Sequence, residues 1–207
     1  MSSIINADTS SGLTISSDNS GEIDFQSGGV TKAGINSAGW TGDGSQLTNV
    51  GKVLQVVSVE KTDVFSTTSV MPTYADITGL SATITPSLSS NKILVTISVK
   101  VSNLTGYFST QLKRQIGGAS FTIVHGGDGT YPCIGTAYAR ANVEFYLATM
   151  QQGGTFLNSP NTTQPVTFKV AAAASTGTCW VNRTGYSAPD ALRPHTSSTI
   201  TLMEVAG

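Results

Sequence analysis

The chain has 207 residues, a formal net charge of -1 and only 11% charged residues, against roughly a quarter in an ordinary soluble domain. That balance excludes a basic stripe for nucleic acid or an anionic membrane surface, so neither is expected as a partner. Hydrophobic residues make up 39% and glycine 22 positions, while Glu, Lys, Arg and Leu are scarce, which is the composition of strands and turns rather than helices.

In chain order, Met1-Ser2-Ser3-Ile4-Ile5-Asn6 has neither a basic nor an apolar leader segment, so no secretory signal is expected and folding in a cytoplasm is. Up to about residue 50, apolar residues come as spaced couples, Leu13 with Ile15, Ile23 with Phe25, then Val30 and Ile35, divided by Ser, Asp, Asn and Gly. This predicts three or four short strands in a meander. About six large apolar side chains, at about 2 kcal/mol each, cannot offset an ordering cost of about 1–2 kcal/mol per residue. Either the segment is disordered, or identical segments of neighbouring subunits share one core; the alternation within the couples favours the second.

The stretch GWTGDGSQLTNV, 39–50, follows. Gly42-Asp43-Gly44-Ser45 lacks the spaced carboxylates of a calcium loop and the Gly-Lys-Ser/Thr of a phosphate loop, and reads as a tight turn. From Lys52 the strand pattern thickens: 53–59, 62–68, 74–85, 92–102, 107–116, 120–124, 136–150, 154–158, 165–174, 177–183 and 198–205. Turns are expected at Thr78-Gly79, 86–91, Ile116-Gly117-Gly118, Gln151-Gln152-Gly153-Gly154 and Ser175-Thr176-Gly177. Such spacing predicts an all-β chain ending in one antiparallel, jelly-roll-like β-sandwich. Only 137–150 has an alternative helical reading, and its Val143-Glu144-Phe145-Tyr146-Leu147 favours a strand. The richest apolar run, 93–101, alternates, so no membrane insertion is expected.

Chemistry is thinly represented. Cys133 and Cys179 read as buried thiols. The loop His125-Gly126-Gly127-Asp128-Gly129-Thr130-Tyr131-Pro132 would need a further ligand to hold a metal, and His195 is the remaining imidazole. A catalytic triad would have to use one of these two histidines, and no Gly-x-Ser-x-Gly elbow is present. Asp128 and Glu144 could in principle pair as acids, but nothing in their spacing selects them. The expectation is no enzyme, no cofactor and no metal. The sequons at Asn103, Asn161 and Asn182 read as chance matches. Loops around Tyr107, Tyr131 and Tyr186 to His195 mix aromatics with small polar residues, which suits contact with a sugar or protein surface as well as it suits strand ends and subunit contacts. Tyr107, Tyr131, Tyr186 and His195 are therefore the candidate recognition residues.

Thr41-Gly42-Asp43-Gly44-Ser45-Gln46-Leu47-Thr48-Asn49-Val50 resembles the GDGSxLTN joint of phage fibre proteins. The segments from KVLQVVSVEKTDVF, GTFLNSPNTTQPVTFKVAAAASTGTCWVNR and STITLMEV are similar to head domains of tail-fibre-like proteins of tailed phages, including those of cyanobacteria and marine bacteria. The chain departs from long fibres in having no extended repeat shaft or coiled coil. The resemblance implies a homotrimer with an attachment and shaft region at 1–38, a joint at 39–51 and a knob at 52–207. At the joint, Trp40 and Leu47 would plug the three-fold axis while Gly42, Asp43 and Gly44 turn each chain outward. It implies a non-enzymatic virion protein, assembled in the host cytoplasm, that binds other virion proteins through its N-terminal region. The knob would recognise a host-surface glycan or protein, as in a short tail fibre. The alternative is a trimeric capsid decoration, cement or head-fibre protein seated at three-fold positions of the head.

Overall fold

The computed structural model describes residues 23–27, 30–36, 39–42, 53–125, 132–139, 149–185 and 195–207. The chain divides into two units, Met1–Val50 and Gly51–Gly207. In the first, β1 (Ile23–Ser27), β2 (Val30–Asn36) and β3 (Gly39–Gly42) pair antiparallel in the order β1-β2-β3. This is the meander expected from the Ile23, Val30 and Ile35 spacing, with a bulge between Phe25 and Gln26. The couple at Leu13 and Ile15 lies outside the described residues.

The second unit holds β4 (Val53–Lys61), β5 (Phe65–Thr67), β6 (Ala75–Ile84), β7 (Lys92–Asn103), β8 (Gly106–Ile116), β9 (Thr122–His125), β10 (Gly135–Ala139), β11 (Met150–Asn158), β12 (Val166–Ala174), β13 (Cys179–Val181) and β14 (Ser198–Val205). Their pairings nest. β8 pairs with β10, β7 with β11, β6 with β12 and β4 with β14, each antiparallel. The unit is thus one long double strand folded back on itself, and folding it over creates two sheets. One runs β4-β14-β7-β11, with β5 and β13 in line with β4 and β14; the other runs β6-β12-β8-β10, with β9 in line with β10 on β8. That connectivity defines a jelly roll, so the chain is all-β in its described residues and the second unit is an antiparallel sandwich.

The core lies between these sheets because the strands alternate with period two. On β7, Ile93, Val95, Ile97 and Val99 are buried; Ile200 and Leu202 on β14 lie on the same sheet, and Leu80, Ile84, Phe108, Leu112, Val166 and Phe168 come from the other. Each such side chain contributes about 1.5–3 kcal/mol on burial.

Two expected turns are not turns. β6 runs straight through Thr78-Gly79: Gly79 takes φ 82, and β6 advances from Asp76 to Ser81 while β12 moves only from Ala171 to Lys169. The bulge shifts the phase of the strand so that both Ile77 and Leu80 reach the core. Likewise Gln151-Gln152-Gly153-Gly154 lies inside β11, paired with β7 throughout. A Cβ at Gly153 would overlap the carbonyl of Ile97, so this glycine permits close strand approach. Cys179 is buried as expected, whereas Cys133 is only half-buried.

Polar locks close the sandwich. Glu204 of β14 is 1% exposed. Its carboxylate accepts from Gln55 Nε2 at 2.6 Å, Ser87 N at 2.6 Å, Ser87 Oγ at 2.7 Å and Asn91 Nδ2 at 2.6 Å. Burial alone would raise its pKa, but the Asn91, Gln55 and Ser87 donors outweigh burial and hold it below the ordinary value of 4.5. A second lock sits where β13 gives way to β14. Asn182 (φ 64) donates from Nδ2 to the carbonyls of Lys61 at 2.8 Å and Asp63 at 3.0 Å, and accepts from Ser198 Oγ at 2.6 Å. Asparagine tolerates this left-handed backbone better than other residues with a Cβ, and its amide ties the β4–β5 break to the β13–β14 break.

Because the folded Glu204 carboxyl is held down, its stabilisation is present above the unfolded pKa and is lost as pH falls through the lower folded value. Glu204→Gln should lower unfolding free energy by about 2–4 kcal/mol at pH 7, with the gap to the parent protein closing below pH of about 4. Denaturant melts across pH test this; a pH-independent gap would contradict it. Gly153→Ala should cost about 3 kcal/mol or more by forcing β11 from β7, and an unchanged melting temperature would refute the close approach.

Candidate recognition surface

Tyr107 leaves the core alternation of β8 outward, next to buried Phe108, and is 54% exposed. Directly across the β8–β10 pair stands Tyr138, 49% exposed. Their ring centroids are 4.7 Å apart with planes tilted by 51°, a geometry within the favourable range for aromatic pairs. Two exposed phenol rings, tilted against each other, form a small aromatic platform.

The backbone beneath it is tied down. Tyr107 N donates to Ser175 Oγ at 2.9 Å, and Ser175 N donates to the Tyr107 carbonyl at 2.8 Å. Gly106 takes φ 90, where a Cβ would come within 2.7 Å of Ser175 Oγ and Thr176 Cγ2; only glycine lets the two loops interlock this closely. Asn103 accepts from Thr105 N at 3.0 Å and donates to the Thr176 carbonyl at 3.1 Å. Beside them Gly185 packs against Leu104 and Trp180, and the Arg183 guanidinium lies 5.8 Å from the Trp180 ring centroid.

A second cluster occupies the outer face of the same sheet. Lys113 of β8 and Lys169 of β12 are direct cross-strand partners, a repulsive arrangement on its own. Asp76 bridges them, at 2.9 Å from Lys113 and in contact with Lys169, while Lys169 Nζ lies 3.4 Å from the Phe121 ring centroid. Burial pushes the Asp76 carboxyl up, but Lys169 and Lys113 more than reverse this and its pKa is lowered. The triad keeps one positive charge in excess, two ammonium groups to one carboxylate, and acts as a clamp between β6, β8 and β12. Alongside it, Gln111 Nε2 donates to the Pro132 carbonyl at 2.8 Å and Met71 N to the Ala174 carbonyl at 2.9 Å. Loop segments are thus tied to this face, and Ala171, Ala173, Ser109 and Gln111 are buried on it. Tyr74, also in this group, has its phenol pKa raised chiefly by burial.

Of the sequence candidates, Tyr107 is exposed, and His195 is exposed three residues before β14. Tyr131 and Tyr186 lie outside the described residues, as do Asp128 and Glu144. His125 ends β9 with its backbone opposite Leu112. Trp40 and Gly42 belong to β3, opposite Ile35 and Ala33; Asp43, Gly44 and Leu47 lie outside the described residues. No group of three or more His, Cys, Asp or Glu is placed to hold a metal among the described residues. Asn103 and Asn182 are buried, so two of the sequons are occupied by structural asparagines.

The chain matches no protein-family model and no curated protein. Among solved structures it is similar to the VP2 subviral particle of infectious bursal disease virus, at 15% identity and a TM-score of 0.33, over 73% of this chain and 38% of that one. It is also similar to the T=1 particles derived from infectious bursal virus, at 14% identity and a TM-score of 0.35, over 74% of this chain and 36% of that one. The chain therefore spans well under half the length of these matches. The jelly roll itself is established by the strand pairing.

The two thiols differ sharply. Cys179 is fully buried and burial pushes its pKa up to about 12, whereas Cys133 is half-buried. A thiol-reactive aromatic disulfide at pH 8 should modify Cys133 in the folded chain and Cys179 only after denaturant is added. Rapid modification of both in native buffer would show that β13 is not packed as described.

Proposed function

We propose that the chain is a non-enzymatic structural protein of a tailed-phage particle, a homotrimer of short-tail-fibre type whose jelly-roll knob contacts the host surface. The observation that carries this reading is the Tyr107–Tyr138 platform, an exposed aromatic pair held by interlocked loops at one end of the sandwich. Rigid exposed aromatics supply contact area at low entropy cost, and three copies would convert weak single contacts into useful avidity. In this reading residues 1–38 attach the trimer to other virion proteins and 39–51 form the joint. Trp40 and Leu47 meet near the axis there, and Gly42, Asp43 and Gly44 redirect each chain into the 52–207 knob. The ligand class is a host glycan or protein surface, with Tyr131, Tyr186 and His195 as further contributors; no metal, cofactor or nucleic acid is required.

The lack of an extended repeat or coiled coil in these 207 residues favours a second reading, a trimeric decoration protein at three-fold positions of the capsid. Antibody labelling of intact particles followed by electron microscopy separates the two: label at the tail supports the fibre, label over the head the decoration protein. For recognition, the purified protein should bind host cells, and Tyr107→Ala with Tyr138→Ala should weaken that binding on the order of 10-fold or more. Equal binding by the parent and the double variant, with the fold intact, would remove the platform from the proposal.

A further inference from the structure

The outer face of the β4-β14-β7-β11 sheet departs from the pattern of a solvated sandwich face. Such a face is polar, in alternation with the core, and most of this one complies. The cross-strand row Ser58, Thr201, Thr96, Thr155 is all hydroxyl, with Ser58 Oγ and Thr201 Oγ1 2.8 Å apart. The row beside it, Val56, Met203, Leu94, Leu157, is all apolar and crosses four strands. Beyond it Val53 pairs with Val205. Val53, Leu54, Val56 and Leu157 are 52%, 50%, 55% and 58% exposed. At about 4.8 Å between strands, the row makes an apolar band about 14 Å wide.

A second departure is at the edge. β4 ends the strand order of its sheet, and its first seven residues, VLQVVSV, carry no charge and no proline. Natural edges are usually guarded by one or the other. Here Gln55 turns inward to Glu204, which leaves Val53, Leu54 and Val56 facing outward.

We infer that this band is the face through which the knobs of neighbouring copies of the chain meet around the three-fold axis. The inference rests on the homotrimer of the proposed function, and identifies the surface that reading leaves open. Charge selects a second copy of the chain as the occupant. Glu60 lies on the β4 margin of the face, and Lys100, hydrogen-bonded to Gln151, lies toward the β11 margin. Among the described residues neither is joined to an opposite charge in an ion pair. Three such faces turned to one axis bring the β4 margin of each copy beside the β11 margin of the next. That ring is head-to-tail and closed, and it sets Glu60 toward Lys100 of its neighbour. The apolar row forms the dry centre of the contact and the hydroxyl row its border.

The test uses the full chain. Analytical ultracentrifugation over a concentration series gives the dissociation midpoint of the wild type and of Val56→Asp with Leu157→Asp. Both positions are more than half exposed in the single chain, so the variant should keep its sheet signature in circular dichroism. Val56→Ser with Leu157→Ser provides a milder companion. The expected result is a trimeric wild type and a midpoint shifted on the order of 100-fold by the aspartates, with faster hydrogen exchange across β4 and β11. A trimeric wild type whose variants dissociate at the same concentration overturns the assigned face and leaves the trimer standing. A monomeric wild type overturns both.

Discussion

Everything in the second unit depends on the outermost antiparallel pair, β4 with β14. The other pairs nest inside it: β6 with β12, β7 with β11, β8 with β10. Joining strands so far apart in the chain carries a large loop-closure entropy, and the nesting distributes it, because each inner pair shortens the loop the next must close. At the outer pair the Glu204 carboxylate draws Gln55, Ser87 and Asn91 onto one buried charge. Gln55 and Glu204 are 149 residues apart, so this contact joins the two arms of the folded double strand at their open end. A buried carboxylate is unfavourable without partners; four donors turn it into a register mark.

The two sheets treat their outer faces differently. On the β6-β12-β8-β10 sheet, segments around Tyr74 and Pro132 lie close to the strands, and Ala171, Ala173 and Ser109 are withdrawn from water. The Asp76 triad seals the margin of that cover. On the β4-β14-β7-β11 sheet the outer face offers a hydroxyl row and an apolar row instead. Small cross-strand alanines suit a cover formed by the chain's own loops, whereas protruding Val56 and Leu157 suit a surface that is to be met.

Much of the strand inventory was legible because period-two alternation is local: Ile93 to Val99 on β7 and Ser198 to Val205 on β14 announce themselves residue by residue. Glycine was the chief source of error. Gly79 and Gly153 look like turn residues, but one supports a bulge and the other a close approach, and these depend on the partner strand. The platform was half legible. Tyr107 stood out beside Gly106, while Tyr138 in GTAYA had no distinguishing neighbour until β10 was placed on β8. The apolar row was illegible for the same reason: Val56, Leu94, Leu157 and Met203 come from four segments, and each is unexceptional in its own strand. Non-local register is what turns them into one surface.

The placement of β14 has a consequence for synthesis. It follows the other strands in sequence, yet lies between β4 and β7 with Ile200 and Leu202 in the core. While the ribosome is still adding residues before Ser198, β4 and β7 lack the strand that joins them, and their apolar faces remain open. Such partly made chains are prone to associate wrongly. The low charge of the sequence offers little electrostatic protection in that interval, so folding after β14 has been made, rather than stepwise folding strand by strand, is the route this topology favours.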